Sequence, residues 1–444
     1  MHDPHAPASH PMGENDSQEW KVECVYPVVQ GQLYFTSHST RAQTVKAIAG
    51  RPELFFFSTV EPESYRAFCD DFGPTDLAGV VTFCRSIWTL LKDPRRKGRP
   101  VVYYTEADSE TLSNAAFLLG AYLVLVEGMS PEDAVAPFSR IQPSPFRAFR
   151  DATYLESDFD LSILDCLRGL SRGARAGFFD LATFDVEQFI RDEDLGLSLM
   201  CPKFVAFKGP VSGSALSCGI EPEAYLDRFQ EIGVSDVVRL NGASTYDRQV
   251  YVEAGIRHHD MEFTDCTAPS PEIVRQFLAA CSSSLGVVAV HCFAGLGRTG
   301  TLIALHLMGN YGWSARETIG YLRIVRPGSI IGAQQHFLAS FDPASAHASP
   351  ATPAPSSSSH PSSSAPFSTI APSGPEGQDL RDWPADLSHF AALHVSNADQ
   401  EIARALAACA MAPPPIHNGS NVDAEMAALR AEQVAHGLAM RAGR

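Results

Sequence analysis

The stretch Val287-Val288-Ala289-Val290-His291-Cys292-Phe293-Ala294-Gly295-Leu296-Gly297-Arg298-Thr299-Gly300-Thr301 constrains this chain more than any other. A short β-branched run leads in, and an apolar run at helical spacing, Thr299 to Asn310, leads out. The pattern H-C-x-x-G-x-x-R-[ST] therefore sits at a strand-to-helix turn. The first backbone N–H groups of a helix have no intrahelical partner there, and the helix dipole favours negative charge. Glycines 295, 297 and 300 let the chain wrap closely, so Phe293, Ala294, Gly295, Leu296 and Gly297 predict an anion-binding nest closed by Arg298.

Cys292 opens this nest. The N–H groups that hold a phosphoryl group also stabilise a thiolate, which makes Cys292 the expected nucleophile. The Arg298 guanidinium is a planar fork that binds two oxygens at once. The Thr299 hydroxyl is placed to hydrogen-bond the sulfur as it leaves, and His291 is expected to orient the loop. A buried thiol before an ordinary glycine-rich turn is the plainer reading, but it does not account for His291 and Arg298 at these spacings. A leaving alkoxide needs a proton. Asp265, in Phe263-Thr264-Asp265-Cys266-Thr267-Ala268-Pro269, is the candidate acid, and by spacing alone it fits a turn aspartate equally well.

Upstream, strand-like segments (Leu33–Phe35, Leu54–Phe57, Val101–Tyr104) alternate with helical spacing at Pro62–Phe72, Asp76–Leu91 and Leu112–Val126. An amphipathic stretch, Asp160 to Gly173, leads into an acidic linker at 178–194. A second alternation follows, with strands at Val237–Leu240 and Val287–Val290 and helices at Pro271–Ser282 and Thr299–Asn310. This is an α/β pattern in two units. The expected division is a flexible leader at 1–20, an N-terminal unit at 21–155, a helical linker at 156–198, a unit bearing Cys292 at 199–341, and a tail at 342–444. The tail is rich in Ser, Pro and Ala and reads as disordered, with short Ala-rich helices possible at 397–411 and 422–440.

The 444 residues carry a net charge of −17, which disfavours a nucleic-acid partner and suits basic ones. The ten cysteines form no C-x-x-C pair, so no metal site is expected, and they suit buried thiols in a reducing compartment. The N-terminus lacks the basic start and apolar run of a signal peptide, and no apolar stretch is long enough to span a bilayer. The chain reads as soluble and intracellular.

With these residues in view, the sequence resembles the protein tyrosine phosphatase superfamily, and within it the cell-division-cycle-fourteen family of dual-specificity phosphatases. The resemblance is carried by Asp71-Phe72-Gly73-Pro74, Asn114 to Tyr122, Phe149-Arg150-Asp151-Ala152, Gly177-Phe178-Phe179-Asp180, Val238-Arg239-Leu240-Asn241, His258-His259-Asp260, Arg326 to Gly332 and Gln334-Gln335. It implies two tandem phosphatase-like domains, each a mixed sheet flanked by helices, joined by a helical linker. The first is inert, because Tyr103 to Glu110 holds neither Cys nor Arg. The resemblance makes Asp265 the general acid and Gln334 and Gln335 the groups that position hydrolytic water, although either glutamine alone also fits a polar helix start. It implies no cofactor.

The resemblance further implies a preference for phosphoserine followed by proline with a basic residue nearby, held in an acidic groove. Asp180, Asp185 and Glu187 are candidates for that groove, though Gln188 and Ile190 stand where the family tends to have acids and a solvated helix face explains the charge equally well. Phe293 replaces the family's Lys and Cys266 its Gly. The implied substrates are phosphoproteins of proline-directed, cyclin-dependent kinases, in mitotic exit or cytokinesis. The implied location is nucleus or cytoplasm, with centrosome, spindle pole or basal body as sites. Ser349-Pro350 and Thr352-Pro353 in the tail are candidate kinase sites, although chance adjacency explains them too. The tail is also a candidate for binding a protein partner. The competing readings are a catalytically weak phosphoprotein-binding scaffold and, last, a phosphoinositide phosphatase, which the apolar Phe293 and Leu296 disfavour.

Overall fold

Two sheets built on one plan make up the protein. The computed structural model describes residues 20–59, 65, 67–96, 98–139, 141–153, 156–212 and 219–341. The expected leader up to residue 19, the tail with its two helical stretches, and Ser349-Pro350 and Thr352-Pro353 lie outside the described residues.

The N-terminal unit comprises β1 (Tyr26–Val29), β2 (Leu33–His38), α1 (Arg41–Gly50), β3 (Phe55–Phe57), α2 (Leu77–Lys92), β4 (Val101–Glu106), α3 (Ser109–Leu125) and α4 (Pro131–Ser139). Its sheet order is β1-β2-β4-β3, with β1 antiparallel to β2 and the other pairs parallel. Then come α5 (Ile163–Arg175) and α6 (Val186–Asp194). The second unit holds β5 (Leu197–Cys201), β6 (Phe204–Phe207), α7 (Leu226–Ile232), β7 (Val234–Arg239), α8 (Gln249–Glu253), β8 (Arg257–Asp260), α9 (Pro271–Ser283), β9 (Val287–His291), α10 (Gly297–Tyr311), α11 (Ala315–Val325) and α12 (Ala333–Ser340). Its order is β5-β6-β9-β7-β8, again with one antiparallel edge pair and parallel neighbours elsewhere. Central parallel strands are covered on both faces and so read as apolar runs, as β4 and β9 do.

The matching topology makes the β4–α3 turn the counterpart of the β9–α10 turn, and the two differ where it matters. At α3, Asp108 Oδ1 accepts the N–H groups of Glu110 (3.1 Å) and Thr111 (2.9 Å). The chain's own carboxylate occupies that helix start. At α10 the capping position is Leu296, which offers no side-chain acceptor, so no side chain caps that helix start.

α5 joins the halves. Its start is fixed by a capping box between Ser162 and Asp165. Its apolar stripe, including Ile163, Cys166, Leu167 and Leu170, is buried in a core shared with α3, α10 and α11. A Cβ on Gly169 would meet Glu317 O at 2.3 Å, and one on Gly173 would meet Tyr321 Cε2 at 2.3 Å, so α5 and α11 cross at a distance that only glycine permits.

The helix expected at Pro62–Phe72 is corrected. Residues 60–64 and 66 lie outside the described residues, while Tyr65 and 67–72 are non-helical. Asp71 takes the Cys69 N–H (2.7 Å) and the Tyr65 hydroxyl (2.5 Å), and Phe72 bridges to Arg150 in antiparallel fashion. A buried carboxylate that satisfies local N–H groups competes with a helical ladder, and here it wins. No helix among the described residues is long and apolar enough to cross a membrane.

Candidate active site

Every peptide carbonyl from Cys292 to Gly295 is held away from the concave side of the β9–α10 loop. Cys292 O faces His291 Nδ1 (2.9 Å), Phe293 O accepts Gly209 N–H (2.9 Å), Ala294 O accepts Arg326 Nη2 (3.1 Å) and Gly295 O accepts Arg326 Nε (2.8 Å). A trans peptide points its N–H opposite to its C=O. Anchoring four carbonyls outward therefore turns the N–H groups of Phe293, Ala294, Gly295 and Leu296 inward. None of these four N–H groups donates to a backbone carbonyl. Gly295 has φ +69°, and a Cβ there would sit 2.1 Å from Phe207 O, so both its conformation and its surroundings require glycine.

Arg326 is the residue that shapes the nest. It is buried, its third contact is Ser198 Oγ (3.0 Å), and burial lowers its pKa from the ordinary arginine value. In the sequence it stands in Arg326-Pro327-Gly328, where nothing local marks a role for it. Its contacts lie 31, 32 and 128 residues away along the chain, and no local signal announces them.

Cys292 and Arg298 are both buried at this loop, 3% and 6% exposed. Arg298 Nη1 donates to Leu240 O (3.2 Å) and Phe263 O (2.9 Å), which fixes the guanidinium plane. Its Nε and the Thr299 Oγ1 are buried with no hydrogen-bond partner. Unsatisfied buried donors are costly and uncommon. Both belong to the helix start that follows the Cys292 loop.

His291 is wholly buried and burial pushes it down to about 3, so its ring is neutral. Nδ1 faces a carbonyl and must carry the hydrogen. Nε2 then accepts from the Tyr246 hydroxyl at 2.8 Å, and that oxygen accepts from His258 Nε2 at 2.8 Å. The tautomers are assigned from this network. Burial also pushes the Tyr246 hydroxyl up, so it keeps its proton as a donor.

Asp265 is brought to the loop. Its Oδ1 stands 2.9 Å from Arg298 Nε, off the N–H axis, so the contact is an ion pair without a hydrogen bond. Oδ1 accepts the Cys266 N–H at 3.0 Å, and Cys266 has φ +57°, a left-handed conformation rare for a non-glycine residue. That backbone explains why glycine suits the position in the family.

The two glutamines separate. Gln334 faces the site: Nε2 donates to Thr267 O (3.2 Å) in the Asp265 loop, and Oε1 lies 2.8 Å from where a Cβ on Gly297 would stand. Gln335 is turned away, its Oε1 held by Arg323 Nη2 at 2.7 Å. The acidic-groove candidates make local contacts at and before α6, with Asp180 and Asp185 both near Arg85. Asp180 accepts the N–H groups of Ala182 and Thr183, Asp185 caps α6 through Gln188 N–H, and Glu187 is an exposed partner of Arg191. None of these contacts reaches the 291–298 loop.

A Cys-x5-Arg loop after the central strand of a mixed sheet flanked by helices defines the cysteine-dependent phosphatase fold. Residues 27–173 match the family described as "Dual specificity protein phosphatase, N-terminal half", and residues 226–341 the family "Dual specificity phosphatase, catalytic domain". The chain is 40% identical over 317 residues to "Dual specificity protein phosphatase CDC14A" of Mus musculus, covering 70% of this chain and 51% of that one. It is 35% identical over 300 residues to "Tyrosine-protein phosphatase CDC14" of Saccharomyces cerevisiae, covering 64% of this chain and 54% of that one. The chain belongs to the CDC14 family of dual-specificity phosphatases, and it spans about half the length of these relatives.

Proposed function

We propose that this protein is a cysteine-dependent dual-specificity phosphatase that hydrolyses phosphoserine, phosphothreonine and phosphotyrosine in proteins, with phosphoserine-proline and a nearby basic residue favoured. The observation that carries this is the inward-facing nest of Phe293 to Leu296 N–H groups together with Arg298 Nε and Thr299 Oγ1, which make no hydrogen bond. In the first step the Cys292 sulfur attacks phosphorus in line. The S–P bond forms, the P–O bond to the side chain breaks, and Asp265 delivers its proton to the leaving oxygen. In the second step a water oxygen attacks phosphorus and gives its proton to Asp265. The S–P bond breaks, and its electron pair returns to sulfur, where Thr299 Oγ1 donates a hydrogen bond. Arg298 and the nest hold the equatorial oxygens throughout. Gln334 positions the water, and Gln335 supports it through Arg323.

Residues 199–341 carry this chemistry, and residues 21–155 are non-catalytic, with Asp108 filling their equivalent helix start. The substrates are phosphoproteins made by proline-directed kinases in cell division, and the compartment is nuclear or cytoplasmic. Turnover of phosphoserine-proline peptides with and without a downstream Lys, beside phosphothreonine, phosphotyrosine and phosphoinositide substrates, tests the reading against Cys292→Ser. Cys292-dependent turnover fastest on phosphoserine-proline with Lys supports it. Binding of the peptides without turnover makes the chain a scaffold.

A further inference from the structure

Helix α12, which carries Gln334, is not capped by any residue of the Cys292-bearing unit. Its cap is Gly332 (φ +56°, ψ −127°), with no side-chain bond of its own. The Gly332 N–H instead donates across the domain boundary to Asp151 Oδ2 at 2.6 Å. Asp151 belongs to Phe149-Arg150-Asp151-Ala152 of the N-terminal unit and is 2% exposed, and its other oxygen accepts from Ser157 Oγ at 3.3 Å. A carboxylate on a helix-start N–H is a charge-assisted bond, among the strong ones.

The loop it holds needs holding. Ile330, a β-branched residue, sits fully buried at φ +66°, a strained conformation that persists only where its surroundings over-determine it. Arg323 supplies one clamp, from Nε to Ser329 O (3.1 Å) and from Nη2 to Ile330 O (3.0 Å). Asp151, whose charge also acts on Arg323, supplies the other at Gly332. Between them, the Gln334 Oε1 accepts the Ile331 N–H at 3.1 Å and its amide reaches the Asp265 loop. A loose Gly332 lets Gln334 drift relative to both the Asp265 loop and Gly297.

We infer that Asp151 is a positioning residue for hydrolysis of the cysteinyl-phosphate: the catalytically inert half acts on the second chemical step by fixing the helix that carries Gln334. This rests on Gln334 as the group that orients the attacking water. The first step uses Cys292, Arg298 and Asp265, none of which Asp151 touches, so the two steps respond differently to its loss.

Rapid-quench turnover with a radiolabelled phosphopeptide tests this by measuring the burst rate, the steady-state rate and the fraction of enzyme trapped as phosphoenzyme. In Asp151→Ala the burst rate stays within about twofold of wild type while kcat falls about tenfold and the trapped fraction rises. Asp151→Asn keeps the volume and one acceptor oxygen but not the charge, and shifts the partition in the same direction by about threefold. If the Ala variant does not fold, the Asn variant decides alone. Burst and turnover slowed equally, or a wild-type partition in the variants, overturns the inference and leaves the phosphatase reading intact. A wild-type enzyme with no Cys292-dependent turnover overturns both.

Discussion

Asp265 Oδ1 rests 2.9 Å from Arg298 Nε without a hydrogen bond between them, so the proposed acid and the proposed phosphate-binding cation lie in contact while the Arg298 N–H goes unused. An arriving phosphoryl group competes for that guanidinium and displaces Asp265 toward the leaving oxygen. Asp265→Asn removes both the pairing and the proton donor. We expect kcat on a phosphoserine peptide to fall by about 10²–10⁴, the range of a lost general acid. An aryl phosphate, whose leaving group needs little protonation, falls less, and an oxyanion inhibitor such as vanadate binds at least as tightly. Equal loss on both substrates removes Asp265 from the acid role.

Tyr246 links two neutral imidazoles, donating to His291 and accepting from His258, each at 2.8 Å. Tyr246→Phe strands a buried acceptor on one ring and a buried donor on the other. Each such loss costs about 1–3 kcal/mol, so a lower urea midpoint is expected. The His291 ring then no longer fixes the Cys292 carbonyl, and kcat falls by up to roughly 100-fold with KM little changed. A Phe variant with wild-type kcat makes the relay purely structural.

How far these features were legible in the sequence follows from how local their causes are. The strand, the glycine spacing and the apolar helix around Cys292 lie within one contiguous stretch, and the structure places β9 and α10 there. Asp265 was ambiguous by spacing because its meaning comes from Arg298, which lies across the sheet. Arg326 and Arg323 act on carbonyls that no local pattern marks. Gln334 and Gln335 are adjacent on one helix, so sequence alone does not tell which faces the loop; the answer depends on Arg323 and Thr267. Pro62–Phe72 has helical spacing, yet pairing of Phe72 with Arg150 and the Asp71 turn override it.

Acid sensitivity follows from the buried histidines. Burial pushes His291 down to about 3 and His306 to about 4, while an unfolded chain protonates both near the ordinary value of 6.5. Between pH 6.5 and about 4 the unfolded state binds more protons than the folded one. Stability is therefore full above pH 6.5 and falls as the solution is acidified through that window. Each group contributes a slope of about 1.4 kcal/mol per pH unit. His306 packs edge-on against Phe204, away from the Cys292 loop. His306→Phe should flatten the pH dependence of the urea midpoint by one proton's share and leave kcat unchanged; an unaltered slope excludes His306 as a source.

The α5–α11 crossing sets how firmly the N-terminal half is docked. A methyl added at Gly169 meets Glu317 O at 2.3 Å and Tyr321 N at 2.6 Å, both backbone atoms of α11 that cannot swing aside. Gly→Ala in a helix interior ordinarily stabilises by up to about 1 kcal/mol, so any destabilisation isolates the clash. We expect Gly169→Ala to cost about 1–3 kcal/mol as an overpacked contact. The cost falls at the junction of the halves. Calorimetry should therefore show the unfolding transition broadening or splitting, which a clash confined to one unit does not produce. If α5 carries the docking, the same variant also loosens the Asp151–Gly332 bond and raises the trapped phosphoenzyme fraction as Asp151→Asn does. A variant as stable as wild type with a single sharp transition shows that the crossing relaxes at little cost.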